Sequence, residues 1–204
     1  MTDRSIMATA YLAKPARCDA PPGPVWRWLT TPKYWPFTVL GVTADALIAI
    51  DDPREPDVRA LLERHVRFAR GQSPPERSFA LDLRGLLDPA ITMFSIRAHG
   101  NLLGIGAIKR LDRHHAEIKS MHTAEAARGR GVGRTMLTYL LGVARAQGFS
   151  QVSLETGTAA GFAPARALYH SLGFVPCAPF ADYTPSEDNL FMTLKLRAEA
   201  GIRG

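Results

Sequence analysis

The sequence predicts an α/β (α+β) fold, a mixed and mostly antiparallel central sheet of about seven strands with helices on both faces. Three observations predict it. Apolar residues recur with strand and helix periods in the order strand, two helices, three strands, helix, strand, helix, two strands. The three consecutive strands are separated only by short turns, as in an antiparallel meander. The last of them crosses a glycine-rich loop, Arg128-Gly129-Arg130-Gly131-Val132-Gly133, and the chain then passes straight into an amphipathic helical pattern.

The first strand is Ala46-Leu47-Ile48-Ala49-Ile50. Asp52 then reads as a helix cap, with Pro53 at the first helical position and Glu55 at the third. Val58, Leu61, Leu62, Val66 and Ala69 follow at helical spacing, and Gly71 marks the expected end. A second short helix is expected from Glu76 to Leu87, with Phe79, Leu83, Leu86 and Leu87 on one side and Pro89 as its stop. The meander comprises Ile91 to Arg97, Leu102 to Arg110 and His115 to Thr123, with His99-Gly100-Asn101 as the tighter turn. After the glycine loop, Met136, Leu137, Leu140, Leu141 and Ala144 form one stripe, closed by Gly148. Val152, Leu154 and Thr156 alternate as a strand. Pro164 starts a helix whose inner face is Ala165, Leu168, Tyr169 and Leu172, ended by Gly173. Phe174 to Cys177 and Asn189 to Leu196 supply the last two strands.

Composition bounds the function classes. With 46% hydrophobic and 22% charged residues, 204 residues suit one globular domain with a full core. No apolar run reaches the roughly 18 residues of a membrane span, and the first residues lack a secretory pattern, so a cytoplasmic protein is expected. Cys18 and Cys177 cannot build a disulfide framework. Half of the formal net charge of +6 lies in residues 1–40, leaving a body too weakly basic to argue for nucleic acid. Residues 1–42 hold all three tryptophans, Trp26, Trp28 and Trp35, amid a concentration of prolines that no regular period survives. They read as a disordered or loosely attached extension, as a product of an upstream start site, or as a tryptophan anchor for a partner or for the domain. The domain itself is expected over residues 43–197, with a tail at 198–204.

A glycine-rich turn that opens a helix leaves backbone N–H groups unpaired at the positive end of the helix dipole, and phosphate is the usual occupant of such a site. The spacing Gly129, Gly131, Gly133 is neither a dinucleotide fingerprint nor the phosphate loop of nucleoside triphosphatases. As an RNA-binding Arg-Gly element it is a single copy flanked by regular structure.

Arg128-x-x-Gly131-x-Gly133, preceded by a strand and opening a helix, resembles the Gln/Arg-x-x-Gly-x-Gly/Ala signature of the GNAT (GCN5-related) N-acetyltransferase superfamily. The resemblance covers residues 46–196 and includes Ala165-x-x-x-Tyr169-x-x-x-Gly173-Phe174. It implies the GNAT acyl-CoA N-acyltransferase fold, with acetyl-CoA as cosubstrate and no metal. It also implies transfer of the acetyl group to a primary amine by direct attack on the thioester. Backbone N–H groups from Arg130 to Arg134, including Gly131, Val132 and Gly133, would cradle the pyrophosphate, and Gly129 would allow close approach. Arg128 and Arg134 would add charged contacts or remain a solvated rim. In similar proteins the backbone corresponding to Met121, His122 and Thr123 pairs with the pantetheine arm, and the Met121 N–H would meet the thioester oxygen.

An amine nucleophile with a pKa of about 10 must lose a proton to react. The resemblance implies Glu117 as the candidate base, since several similar GNAT enzymes carry a catalytic glutamate at this place on the strand, eleven positions before Arg128; strand alternation puts it on one face with Lys119 and Met121, and the competing reading is a simple pairing with Lys119 or another neighbour. Tyr169 is the candidate acid for the departing thiolate, or else a core phenol satisfied elsewhere. Relatives carry an asparagine where this chain has Phe162, so that side-chain contact to the arm is missing.

His114, His115 and His122 have no zinc-ligand spacing and read as structural. Cys177 reads as a small packed hydrophobe. Glu155, Asp182, Glu187 and Asp188 either line the acceptor end or are solvated loop acids. The expected acceptor is a small-molecule amine, with a protein or peptide amine as the alternative. Nucleic-acid and membrane partners are not expected, and a homodimer is left open. A non-catalytic CoA-binding module, regulating a partner held by the tryptophan-bearing extension, is the competing function.

Overall fold

Residues 46–72 and 81–196 are described by the computed structural model. The extension, Phe79 and the tail expected from the sequence lie outside the described residues. Seven strands form one sheet: β1 (Ala46–Ile50), β2 (Ile91–Ala98), β3 (Asn101–Arg110), β4 (His115–Thr123), β5 (Gln151–Gly157), β6 (Val175–Pro176) and β7 (Asn189–Lys195). Their order is β1-β2-β3-β4-β5-β7-β6. All neighbours are antiparallel except β4 and β5, which run parallel. A parallel pair needs a crossover, and α3 (Val132–Ala146) supplies it.

The helices divide between the two faces. α1 (Pro56–Gln72) and α2 (Leu83–Leu86) bury Val58, Leu61, Leu62 and Leu86 against Met93, Ile105 and Ala107. On the opposite face α3 and α4 (Ala163–Ser171) pack Met136, Leu137, Leu140 and Tyr169 against Ile96, Ile108, Ile118 and Leu154. Each fully buried aliphatic side chain contributes about 2 kcal/mol on transfer from water, so these stripes hold the helices in place. Both helices end as the glycines indicate. Gly148 and Gly173 take positive φ (81° and 91°), and the next amide turns back onto the helix: Phe149 N to Ala144 O, and Phe174 N to Tyr169 O.

Three boundaries differ from the sequence expectation. Asp52 does not cap α1; its carboxylate accepts from the Arg54 amide at 2.9 Å and pairs with the Arg54 guanidinium at 2.7 Å, forming a turn, and the helix starts at Pro56. Proline does hold the first helical position, but one turn later. The second helix is only Leu83–Leu86 within the described residues, because Asp82 caps it by accepting from Gly85 N. β6 is trimmed to two residues.

Arg97 on β2 ties the first elements together, reaching Asp51 at 3.0 Å and Asp57 of α1 at 2.6 Å. Ser95 Oγ donates to the same Asp51 carboxylate. Arg97→Ala leaves Asp51, with a side chain 17% exposed, without its cation. The expected loss is about 1–3 kcal/mol in chemical denaturation, below the cost of a fully buried pair because water reaches the group.

Candidate active site

The parallel ladder between β4 and β5 covers only His115↔Gln151, Ala116↔Val152 and Glu117↔Ser153. Past Glu117 the edges that face each other carry no ladder pairs, while β4 stays paired to β3 and β5 to β7. The result is an opening in the middle of the sheet, lined by unpaired strand edge on both sides. An extended, amide-bearing chain can be accommodated there by strand-like hydrogen bonds.

A bulge on β4 accompanies the parting. Lys119 opposes Ala107 and His122 opposes Ile105, so Ser120 and Met121 together face the single Gly106. Ser120 carries the cost with φ at 52° and a buried Oγ that has no partner. Gly106 is required by the close approach: a Cβ there would lie 3.0 Å from both Met121 Sδ and Leu140 Cδ1. This corrects the simple alternation. Lys119 and His122 face the α1 side with Ala107 and Ile105, whereas the Met121 side chain packs with Ile118 and Met136 on the α3 side. The extra residue inverts the pattern after Lys119.

Glu117 is 2% exposed on the α1 face. Its Oε1 accepts from Lys119 Nζ at 3.0 Å and from the hydroxyl of Tyr183. Lys119 Nζ also donates to Tyr183 Oη. Glu117 therefore does pair with Lys119, and a phenol that sequence reasoning missed completes the group. Tyr183 comes from the loop before β7, wedged against Phe180 and Phe191 at centroid separations of 5.2 and 5.4 Å. Burial, then the Glu117 charge, pushes the Tyr183 hydroxyl far above the usual phenol range, so it remains a proton donor at neutral pH. Beside it, burial raises the Glu155 carboxyl despite the opposing hydrogen bond from Asn189. Of the loop acids named from the sequence, Glu155 is the one brought to this group.

Tyr169 arrives from the other face. It is 7% exposed and lies at the end of the α3-side core, its ring tilted against Phe174 at 5.9 Å. Its hydroxyl has no hydrogen-bond partner among the described residues. Burial, followed by the Glu155 charge, raises it well above the phenol range. That coupling to Glu155 links the two sides of the opening.

The glycine loop lies at the opening's mouth. Gly129 and Gly131 take φ of 71° and 78°, and a Cβ on either would meet nothing within 4 Å. Gly131 is the N-cap of α3 without a side-chain cap bond, so the first-turn N–H groups are open to an anion. Gly133 is the close-packed member, its missing Cβ 3.4 Å from Leu168 and 3.5 Å from Thr123 Oγ1. Val132 anchors the loop in the core. Arg130 is exposed, and Arg134 donates to Ser171 Oγ at 2.7 Å, fastening α3 to the end of α4. The parted strands, the uncapped helix start and the open loop together fit a long ligand with a pyrophosphate at one end.

The Arg128 side chain goes elsewhere, lining a cleft of about 310 Å³ between α1 and β4 with Leu61, Arg64, Phe68 and His122. His122 meets His65 edge-to-face at 5.4 Å, and His65 Nδ1 is buried without a partner. Phe68 meets Phe162 edge-to-face at a centroid separation of 5.1 Å, so the residue in the asparagine's place packs between α1 and the end of β5. Burial holds both imidazoles at a pKa of about 4; charge from His122 adds to it at His65, and charge from Arg128 and Arg64 at His122. An unfolded histidine takes its proton near 6.5, so below that pH the unfolded state binds protons that the folded state refuses. Stability present above pH 6.5 is therefore lost as pH falls towards 4. Denaturation at pH 7 and pH 5 is expected to differ by roughly 2 kcal/mol, with His65→Phe removing part of the difference. By contrast, His115 is structural, its Nε2 2.7 Å from Ser153 Oγ.

Comparison with known proteins adds four likenesses. Residues 56–174 match the model of the acetyltransferase (GNAT) family. The chain is 43% identical over 149 residues to the uncharacterized N-acetyltransferase YsnE of Bacillus subtilis, covering 73% of this chain and 99% of that one. With the uncharacterized N-acetyltransferase YedL of Escherichia coli it shares 44% over 149 residues, 73% of this chain and 94% of that one. Among solved structures, the acetyltransferase yncA of Salmonella typhimurium, described with its cofactor acetyl-CoA, superposes with a TM-score of 0.57 at 20% identity. That superposition covers 77% of this chain and 97% of the Salmonella protein.

Proposed function

Because the chain belongs to the acetyltransferase (GNAT) family, we propose that it acetylates the primary amine of a small molecule by direct attack on the thioester of acetyl-CoA. Acetyl-CoA-dependent acetylation is the family's general chemistry, and the chain is an N-acetyltransferase. The observation that carries the finer reading is the Glu117–Lys119–Tyr183 group beside the parted edges of β4 and β5.

Acetyl-CoA supplies an activated acetyl group and a thiolate leaving group. The N–H groups from Arg130 to Arg134 would hold its pyrophosphate, and the edge of Met121 to Thr123 its arm. The Met121 N–H, in the bulge, would donate to the thioester oxygen as negative charge grows there. Glu117 is paired with Lys119 and nearly sealed from solvent, so the amine's proton would reach it through the Tyr183 hydroxyl, which gives up its own proton to Glu117 as it takes one from the amine or a water. Lys119, bonded to both oxygens, keeps the carboxylate and the phenol in register. Tyr169 stands on the opposite side with a hydroxyl free to protonate the thiolate. No metal ion enters the scheme. We keep the cytoplasm as the compartment; among the described residues no helix is long and apolar enough to cross a membrane.

The test is release of free thiol from acetyl-CoA against a panel of small amines, basic peptides and N-terminal peptides. Release with small amines supports the reading, and release with peptides alone overturns the acceptor. Tight acetyl-CoA binding without release for any acceptor leaves a binding module instead.

A further inference from the structure

The cleft between α1 and β4 carries information about the acceptor that the catalytic group does not. Its floor is apolar, made by Leu61, Phe68 and Ala124, and two guanidinium groups, Arg64 and Arg128, line it from opposite elements. Neither arginine has a carboxylate partner among the described residues, although Arg59 and Glu63 on the same helix pair readily at 3.0 Å. Glu125 also lines the cleft, so the local balance is two positive charges against one negative, the imidazoles of His65 and His122 being neutral at pH 7. Unpaired guanidinium groups above an apolar floor suit one kind of group, a planar oxyanion on a hydrocarbon body, which they bind by charge-assisted and bidentate hydrogen bonds.

Position adds to this. His122, at the back of the cleft, directly follows Met121, whose N–H is proposed to hold the thioester oxygen. An amine that reaches that point from the α1 side leaves the rest of its molecule in the cleft. About 310 Å³ is at the small end of ligand sites, enough for an amino-acid-sized molecule and too little for a folded protein segment. Behind His122, the buried His65 ring supports it edge-to-face at a centroid separation of 5.4 Å.

We propose that this cleft is the acceptor site and that it selects amines carrying a carboxylate on an apolar or aromatic body, with Arg64 and Arg128 holding the carboxylate. This rests on the acetyltransferase reading for the identity of the second substrate, but the cleft's preference for carboxylates can be measured without turnover.

Isothermal titration with the full chain saturated with CoA would compare L-phenylalanine with phenethylamine, and L-leucine with 3-methylbutylamine, alongside thiol release for the same four compounds. The carboxylated members are expected to bind at least 10-fold more tightly, and Arg64→Gln and Arg128→Gln are each expected to abolish that preference. Arg64→Gln should leave acetyl-CoA affinity unchanged, since α1 takes no part in the pyrophosphate loop. Equal affinity for the two members of each pair overturns the proposal, as does a preference that survives Arg64→Gln. So does an Arg128→Gln variant that weakens acetyl-CoA binding and leaves the carboxylate preference intact. Carboxylate-dependent binding without thiol release would keep the site and remove the enzymatic reading, whereas thiol release that ignores the carboxylate would do the reverse.

Discussion

Glu117→Gln is expected to lower kcat for acetyl transfer by about 10²- to 10⁴-fold, the range over which a positioned general base contributes. The KM for acetyl-CoA should stay near the wild-type value, because the glycine loop and the edge of Met121 to Thr123 are untouched. Glutamine keeps an oxygen that can accept from Lys119 and Tyr183 but loses the charge that draws the proton. The same loss strands Lys119, whose side chain is only 8% exposed beside a partner at 2%. Unpairing a buried cation costs up to about 3–5 kcal/mol, and the retained acceptor offsets part of that. A drop in thermal midpoint of roughly 5–10 °C is therefore expected with the activity loss. The two effects separate in Glu117→Gln/Lys119→Met, where both members of the buried ion pair are gone: stability should largely return and activity should not. A single variant that turns over at the wild-type rate would remove Glu117 from the proton path. Tyr183→Phe, which interrupts the path and leaves Glu117 its bond from Lys119, should move kcat in the same direction.

Tyr169→Phe is expected to behave in the opposite way toward stability. The ring keeps its place against Phe174, and the hydroxyl has no partner to lose among the described residues, so the thermal midpoint should stay within about 2 °C. Turnover, however, should fall roughly 10- to 100-fold if that hydroxyl protonates the departing thiolate. Steady-state kinetics with acetyl-CoA and thermal denaturation on the same preparation decide between the two readings of this residue. Unchanged kcat would make Tyr169 a core phenol. A fall in kcat matched by a large loss of stability would show a packing role instead.

Much of the architecture is legible in the chain because its signals are local. The stripe Met136, Leu137, Leu140, Leu141, Ala144 needs only a period of 3.6 to declare α3, and all five are buried. Gly148 and Gly173 mark helix ends because left-handed backbone suits glycine best. Boundaries fail where local chemistry has two outlets: Asp52 could cap a helix, and instead pairs with Arg54 two residues on. The glycine loop is readable for the same local reason, since turn and helix start are contiguous.

The proposed catalytic group divides along the same line. Glu117 and Tyr169 could be nominated because they stand at definite positions relative to the loop and the last helix. Tyr183 could not, because it meets Glu117 across 66 positions from a segment without period or motif. The Ser120 bulge was hidden too, for it arises from the register between β3 and β4 and from the space above Gly106. It sends the Met121 side chain to the α3 side and leaves Lys119 with Glu117. Arg128, first residue of the signature, turns its side chain into a cleft shared with Arg64 of α1. From the sequence alone came the order of elements, the uncapped helix start that suits an anion, and Glu117 and Tyr169 as candidate base and acid. Tertiary structure alone decided which side of the sheet each group faces, which phenol covers Glu117 and where Arg64 and Arg128 converge, because those depend on strand register and packing between segments far apart in the chain.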